Sequence, residues 1–591
     1  MEREAAVDTR ARKTGMTVTD LRPRWQTEAK ELGITPADLA RDIRVAGRTA
    51  EPVQHTTAAD VLAVLAEQSS VWHRMDVLRT LTDTLRPHPG LTGQRWAEFL
   101  DRAASNILEH SINLDPALDS DARRRMSDGR SIWIEPIAAH HTSEEVLAQE
   151  ERILTWAIDQ QQALPQPSVT LEPGRLDLLQ QHAARAVAGL DRLVIVVGPA
   201  GAGKTTMLTA AGHDLTRHHR NVYAGAPTAK AARTLGRETG MPADTVAKLV
   251  YEWTQPDRPP RPEWRLPTNT TLIVDEAGML GTNDLHRLTL LADTQQWRLV
   301  LVGDPRQLQA VGRGGMFNEL ITGGRIHQLE TIHRFNHPWE AAASLALRDG
   351  DPAVLDTYEA KGRIIPGSLD HHLDAITRIY NDSRTTGHSL AITTTTNEHV
   401  LLVNHAIQNH LIHAGVVEPT LSADGALGQH IHVGDQIATR ANNRQLKTSH
   451  GEIVRNRELW TITRIHPNGD IAARRHESDD TVTLPAKYVA EHVHLGYAAT
   501  EHGNQSDTQH ASLTLVTPTT TGRGLYVAMT RGRETNLAYV ITPEPTLDAA
   551  RQVLEGVLAS DRADIPAVVQ RRQLARPNPH QTDNGSGAAS L

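Results

Sequence analysis

Cysteine is absent from the 591 residues. That absence excludes disulfides, thiolate zinc sites, iron–sulfur clusters and cysteine nucleophiles together, and a reducing cytoplasm is the simplest compartment. Aromatics are scarce at 4%, with 3 Phe, and the 8 Tyr begin only at Tyr223. The first third of the chain therefore carries no tyrosine nucleophile. Long hydrophobic runs are also missing: the densest, Leu193–Val197 and Leu299–Val302, are far too short to cross a bilayer. The opening Met1-Glu-Arg-Glu carries both charge signs and leads into no apolar core, so no secretory signal and no membrane segment are expected. Positive charge is not in excess, with 61 basic against 70 acidic residues and a formal net charge of −9. This argues against a uniformly basic nucleic-acid coat and leaves room for a locally basic channel, so any such contact must be local. Only 8 of the basic residues are Lys, so a Lys at a motif position carries more information than an Arg.

At about 150 residues per domain, the length predicts roughly four domains or subdomains. Residues 1–165 are rich in Ala, Arg, Glu and Leu at helical spacing, as in Ala59–Glu67 and Glu144–Leu154, and read as a helical N-terminal region. After the Leu164-Pro-Gln-Pro-Ser linker and a helix near 176–189, short apolar strands alternate with helical stretches. The strands are Leu193–Val197, Asn221–Ala224, Thr271–Val274 and Arg298–Val302. This alternation predicts an α/β, doubly wound parallel sheet over 166–345. A second such lobe is expected over 346–427 and 491–561, with strands at Ser389–Thr394, Ser512–Val516 and Ala538–Ile541. Between its two parts, 428–490 reads as a small antiparallel β insert of short alternating segments broken by turns. Residues 562–591, ending in Gly, Ser and Ala, read as a disordered tail.

Gly198-Pro-Ala-Gly-Ala-Gly-Lys-Thr205 is a complete phosphate-binding loop between an apolar strand and a helical stretch. Its glycines let backbone N–H groups curl around phosphate oxygens, and the helix that follows aims its positive end at them. The cradle comprises Gly198, Pro199, Ala200, Gly201, Ala202, Gly203, Lys204, Thr205 and Thr206. Lys204 adds a point charge for the outer phosphates, and Thr205 is the expected magnesium ligand. Downstream, Asp275 and Glu276 end an apolar strand beside that loop. Asp275 is expected to share the Mg2+, and Glu276 to deprotonate the attacking water. No Asn-Lys-x-Asp segment for reading guanine is present, which favours ATP. Asp304 and Gln307, at the end of the next strand, stand where a γ-phosphate sensor belongs.

The order of phosphate loop, Asp275-Glu-Ala-Gly, Gly303-Asp-x-x-Gln-Leu, His333-Arg-Phe and Tyr526-Val-Ala-Met-Thr-Arg-Gly-Arg resembles superfamily 1 helicases of the RecD-like group. It is most similar to the helicase portion of MobF-type (TraI/TrwC-like) conjugative relaxases. That resemblance implies two RecA-like lobes with an SH3-like insert in the second. The implied activity is ATP hydrolysis coupled to 5′→3′ movement on single-stranded DNA, as a DNA helicase or translocase. A separate relaxase or other conjugation machinery is the implied protein partner. Residue by residue, it implies that Gln180 contacts adenine and that Arg334 and Arg531 reach the γ-phosphate from opposite lobes. Lys204, Thr205, Asp275, Glu276 and Gln307 keep the roles given above. Contacts to DNA are implied for Thr228, Lys230, Thr393, Asn397, His502 and Thr508, with Phe317 and Trp339 as candidate stacking rings.

Two departures from the pattern matter. Ser506 stands where the family has Gly in His502-Gly-Asn-Gln-Ser-Asp-Thr508; if the position needs φ > 0, serine there costs about 1 kcal/mol and can uncouple hydrolysis from unwinding. The nicking tyrosine of a relaxase is also absent, so the chain reads as the region that follows a relaxase domain. A DNA-binding or relaxase-anchoring remnant with little or no unwinding is the alternative reading, and RNA remains open as the substrate. The paired histidines 140–141 and 371–372 lack a third ligand at metal-binding spacing and read as solvated pairs.

Overall fold

The computed structural model describes residues 57–85, 93–115, 139–162, 176–476, 478–505, 507–560 and 563–575. The first 56 residues, the 164–168 linker, Ser506 and the last 16 residues lie outside the described residues, so the expectations placed on them are not addressed. The described residues divide into two units.

In the smaller unit, 57–65 with 73–110, the helices Arg74–Thr84 and Gln94–Glu109 bury Val77, Leu81, Leu100, Ala104 and Ile107. Arg74 pairs with Asp101 at 2.6 Å. The larger unit, 66–72 with 111 onwards, contains both sheets and the insert.

Its first sheet is wholly parallel and is built from β1 (Leu193–Val197), β2 (Val222–Ala226), β3 (Ala243–Thr245), β4 (Thr271–Val274), β5 (Arg298–Gly303) and β6 (His327–Gln328) in the order β3-β2-β4-β5-β1-β6. The β-branched run of β1 is buried at every residue, as a strand covered by helices on both faces must be. The phosphate loop leaves β1, the Asp275-Glu276 pair leaves β4, and the Asp304 loop leaves β5. All three therefore emerge at the carboxyl edge of adjacent strands, where doubly wound sheets hold ligands.

The second sheet has two strands before the insert, β7 (Ile364–Gly367) and β8 (Leu390–Thr394). The insert sheet comprises β9 (Gln436–Thr439), β10 (Leu459–Ile465), β11 (Ile471–Arg475), β12 (Thr481–Leu484) and β13 (Val493–Leu495). The second lobe resumes with β14 (Ala499–Thr500), β15 (Gln509–Val516) and β16 (Gly532–Ile541). The lobe's order is β14-β8-β15-β16-β7, all parallel; the insert's is β12-β11-β10-β9-β13, all antiparallel.

Three boundaries differ from expectation. The insert runs to Leu495 rather than 490, and a hairpin of Glu418–Asp424 with His430–Val433 precedes it. Insert residues Trp460, Ile462 and Val482 share one core with Ile392, Val403 and Leu513 of the second lobe, so no composition change marks the junction. The helix Pro338–Asp349, which straddles the expected lobe boundary at 345, packs through Ala343 and Leu347 against Leu525, Val540 and Leu554 of the second lobe. Part of the expected disordered tail is ordered: Ala567–Leu574 is a helix with Ala567 and Val568 buried. Its polar composition hides the reason, which is specific pairing. The Val568 N–H donates to Glu150 Oε2 at 3.0 Å, and Arg571 pairs with Glu151 at 2.5 Å. Among the described residues, no helix is long and apolar enough to cross a membrane.

Candidate nucleotide and nucleic-acid site

A cavity of about 820 Å³ opens between the carboxyl edge of the first sheet and the amino edge of the second. The phosphate loop forms one wall. Gly201 and Gly203 adopt φ of +82° and +71°, a conformation that L side chains avoid. A Cβ on Gly203 would sit 2.4 Å from the Gln180 amide nitrogen, and one on Gly201 would sit 2.5 Å from Arg334 Cβ. The glycines are thus required both for loop curvature and for close approach. Lys204 heads the helix Lys204–Arg217, and its ammonium donates to the carbonyls of Gly198 at 2.8 Å and Pro199 at 3.1 Å. That arrangement holds the charge inside the cradle.

Facing the loop, Asp275 and Glu276 line the same cavity. Burial first, and then the neighbouring Glu276, push the Asp275 carboxyl up to about 7, while Lys204 opposes the rise. Two carboxylates set beside one ammonium in a desolvated cleft are short of positive charge. The Thr205 hydroxyl and the Asp275 carboxylate are oxygen donors of the kind a hard divalent cation takes, so the donor set fits magnesium. Glu276 has φ +53°, unusual for a residue with a Cβ and the kind of outlier that concentrates at functional sites.

The second lobe supplies the opposite wall. Arg531 is 1% exposed yet lines the cavity. Its Nε donates to the Val527 carbonyl at 2.7 Å, Nη1 to the Asp507 carbonyl at 3.2 Å and Nη2 to the Thr530 hydroxyl at 3.0 Å. Arg334 lines the same space and donates to the Thr530 carbonyl at 2.6 Å. Burial, and then the positive charge of Arg531, lower its guanidinium to about 9. Two guanidinium groups held in one buried cleft repel each other, and this is a cost that an anion between them relieves. Gln307 is buried and also lines the cavity; its amide oxygen accepts from Gln505 Nε2 at 3.3 Å.

Gln180 departs from the adenine-contact expectation. It is 4% exposed, its Oε1 accepts from the Asp177 N–H at 3.0 Å and its Nε2 donates to the Ala202 carbonyl at 3.0 Å. Its amide braces the phosphate loop from beneath and does not line the cavity.

The residues expected at the nucleic acid separate into groups. Lys230 and Thr508 line the large cavity, and Lys230 and Asn397 line a smaller adjoining one of about 170 Å³. Lys230 is paired with Asp507 at 2.5 Å. Thr228 uses its hydroxyl to cap the helix Ala229–Thr239, accepting from the Ala231 N–H. His502 is half-buried, and its carbonyl accepts from Arg457. Thr393 is a correction: it is fully buried in β8, and its hydroxyl accepts from Asn504 Nδ2 at 2.9 Å, so no strand can reach it. Phe317 is a core residue at 3% exposure and presents no open face for stacking, whereas Trp339 is half-buried, edge-on to Tyr358 at 5.7 Å, with Lys361 and Arg363 over its ring. His372 is buried and bonded to the Val540 carbonyl at 2.9 Å rather than solvated. Among the described residues, no group of three or more His, Asp and Glu could hold a metal ion.

Sequence reasoning missed Arg348, Arg523 and Arg233. Arg348 chelates Asp304, Arg523 donates to the carbonyls of Pro305 and Gln307, and Arg233 joins the first lobe to Glu452 and Glu458 of the insert. In a chain so rich in Arg, nothing local distinguished them.

Sequence families described as "AAA domain" and "Rv2311 SH3-like barrel domain" match residues 175–368 and 423–494. The "Probable conjugal transfer protein TraA" of Sinorhizobium fredii is 29% identical over 497 residues, which is 80% of this chain and 41% of that protein. The "RecBCD enzyme subunit RecD" of Mycolicibacterium smegmatis is 33% identical over 217 residues, covering 32% of this chain and 38% of that protein. A crystal structure of the Pif1 helicase from Bacteroides, with ADP-AlF3 and ssDNA, covers 62% of this chain and 95% of its own at 17% identity and a TM-score of 0.42. The chain spans about two fifths of the length of the two curated relatives. Residues 175–368 thus match an AAA domain, and by its motif order and these sequence likenesses the chain is similar to RecD-like superfamily 1 helicases and to conjugal transfer proteins.

Proposed function

We propose that this chain hydrolyses ATP to move along single-stranded DNA in the 5′→3′ direction, serving strand separation in conjugal transfer. The observation that carries the reading is the meeting of Lys204, Asp275 and Glu276 from one lobe with Arg531 from the other around a single cavity. An arginine supplied across a cleft stabilises transition-state charge only while the cleft is shut, so hydrolysis and lobe movement become one event.

Thr205 and Asp275 would hold a magnesium ion, which supplies positive charge at the outer phosphates. Backbone N–H groups of 201–205 and the Lys204 ammonium bind the phosphate oxygens. Glu276 takes the proton of the attacking water, Gln307 senses the terminal phosphate, and Arg334 and Arg531 neutralise the charge that develops there. Lys230 and Thr508 at the large cavity, Asn397 at the smaller one, and His502 hold the strand.

ATP turnover with and without an oligo-dT strand, beside a Lys204→Ala control, tests the reading together with a forked-duplex unwinding assay. Stimulation by DNA accompanied by unwinding supports it. Turnover indifferent to DNA, or none, refutes it in favour of a binding or anchoring remnant. Equal stimulation by RNA would remove the DNA assignment.

A further inference from the structure

Tyr526 belongs to the second lobe, on the helix Gly522–Ala528, yet both hydrogen bonds of its hydroxyl go to the first. The oxygen accepts from the Ala200 N–H of the phosphate loop at 2.9 Å and donates to Asp304 Oδ2 at 2.9 Å. The other carboxylate oxygen, Asp304 Oδ1, accepts from Arg348 Nε at 3.0 Å and Nη2 at 2.9 Å. It also accepts from the Arg306 N–H at 3.1 Å. Arg348 lies on the helix that packs against the second lobe. Nearer the start of the Tyr526 helix, Arg523 donates to the carbonyls of Pro305 at 2.5 Å and Gln307 at 3.0 Å.

We infer that Tyr526 is a positioning residue for hydrolysis: its hydroxyl joins the phosphate loop to the Asp304–Gln307 sensor loop only when the lobes are closed. The inference deepens the proposed ATPase and rests on that reading.

The physical case is one of satisfaction. Tyr526 is 1% exposed and Asp304 2% exposed, so water cannot replace either bond without the cleft opening. If the lobes part, the loop amide and the carboxylate lose their shared partner together. Burial, reinforced by the Asp304 charge, holds the phenol well above its ordinary value, so it remains a donor throughout the working pH range. A phenylalanine would fill the same space, and the hydroxyl is therefore separable from the ring.

The test is Tyr526→Phe, alone and combined with Asp304→Asn. For the DNA-stimulated reaction, kcat should fall about tenfold while the KM for ATP moves less than about twofold, because the buried bonds of the hydroxyl to Asp304 and to the Ala200 N–H are lost while Lys204 and the remaining cradle amides stay in place. In the Asp304→Asn background the same change should add less than about twofold. Release of mant-ADP, followed by stopped flow, should be faster in Tyr526→Phe by about threefold or more and unaltered by the change in the Asp304→Asn background. Three results would each overturn the inference: an unchanged kcat in Tyr526→Phe, an undiminished loss when the change is made in the Asp304→Asn background, or unaltered mant-ADP release from Tyr526→Phe. Failure of the wild-type protein to hydrolyse ATP would instead remove the functional reading, while the release measurement would still decide whether Tyr526 latches the cleft.

Discussion

In the proposed function Lys230 meets a phosphodiester, and Asp507 already holds it at 2.5 Å, with the two side chains 25% and 21% exposed. An incoming strand must therefore displace a carboxylate. At an effective dielectric constant of 20, unit charges about 4 Å apart attract by about 4 kcal/mol, most of which desolvation cancels. For a pair this accessible, about 1 kcal/mol remains, which is roughly fivefold in Kd. Asp507→Asn should accordingly tighten oligo-dT binding about fivefold at low salt, measured by fluorescence anisotropy, and the gain should shrink as salt screens the pair. Lys230→Ala should weaken binding and lower the slope of log K against log salt by about 0.7, the share of one single-strand phosphate. Unchanged or weaker binding by Asp507→Asn would refute the competition, and an unaltered salt slope in Lys230→Ala would remove Lys230 from the phosphate path.

Arg531→Ala should lower kcat by roughly a thousandfold with KM nearly unchanged. Arg531→Lys should not rescue it, because a single ammonium cannot keep the bonds to Val527, Thr530 and Asp507; steady-state kinetics decide. Phe317→Ala should cost about 3–5 kcal/mol in urea unfolding while leaving DNA affinity per folded molecule intact, and loss of affinity without loss of stability would restore a stacking role. Burial raises the Glu150 carboxyl from its ordinary 4.5 to about 7, so the native state binds this proton more tightly than the unfolded chain. The stability it contributes is full below about pH 4.5 and declines as pH rises through 7, by about 3 kcal/mol. Glu150→Gln should flatten that decline in thermal melts between about pH 5 and pH 8, and an identical pH slope in both proteins would contradict it.

Legibility in the sequence followed how local each signal was. Strand β1 and the phosphate loop could be read outright, because a β-branched run followed by glycines at fixed spacing has few other structures. The second lobe's strands were legible for the same reason, although β15 and β16 begin earlier, at Gln509 and Gly532, than their apolar cores suggested. Contacts between distant segments were not legible. Thr393 looked accessible at the end of a strand until Asn504 arrived to cover it. Gln180 looked like a base reader until its amide proved to be used by Asp177 and Ala202. The C-terminal helix read as disorder because its order depends on Glu150 and Glu151, which lie far away in the chain, before the first sheet begins.

The placement of Gln505 and Asp507 ties these observations together. Gln505 donates to Gln307 of the sensor loop, the Asp507 side chain holds Lys230, and the Asp507 carbonyl accepts from Arg531. A strand that draws Lys230 away from Asp507 acts on the same residue whose backbone anchors the arginine at the phosphate site. On the proposed reading, nucleic-acid occupancy and the position of Arg531 are joined through one residue rather than through a long relay, and binding energy at one site would bias the geometry of the other. Substitutions at Asp507 should therefore move the DNA dependence of turnover more than its rate without DNA. A relay running through the lobe interfaces instead would make Arg523, which grips Pro305 and Gln307 from the other side, the more sensitive position.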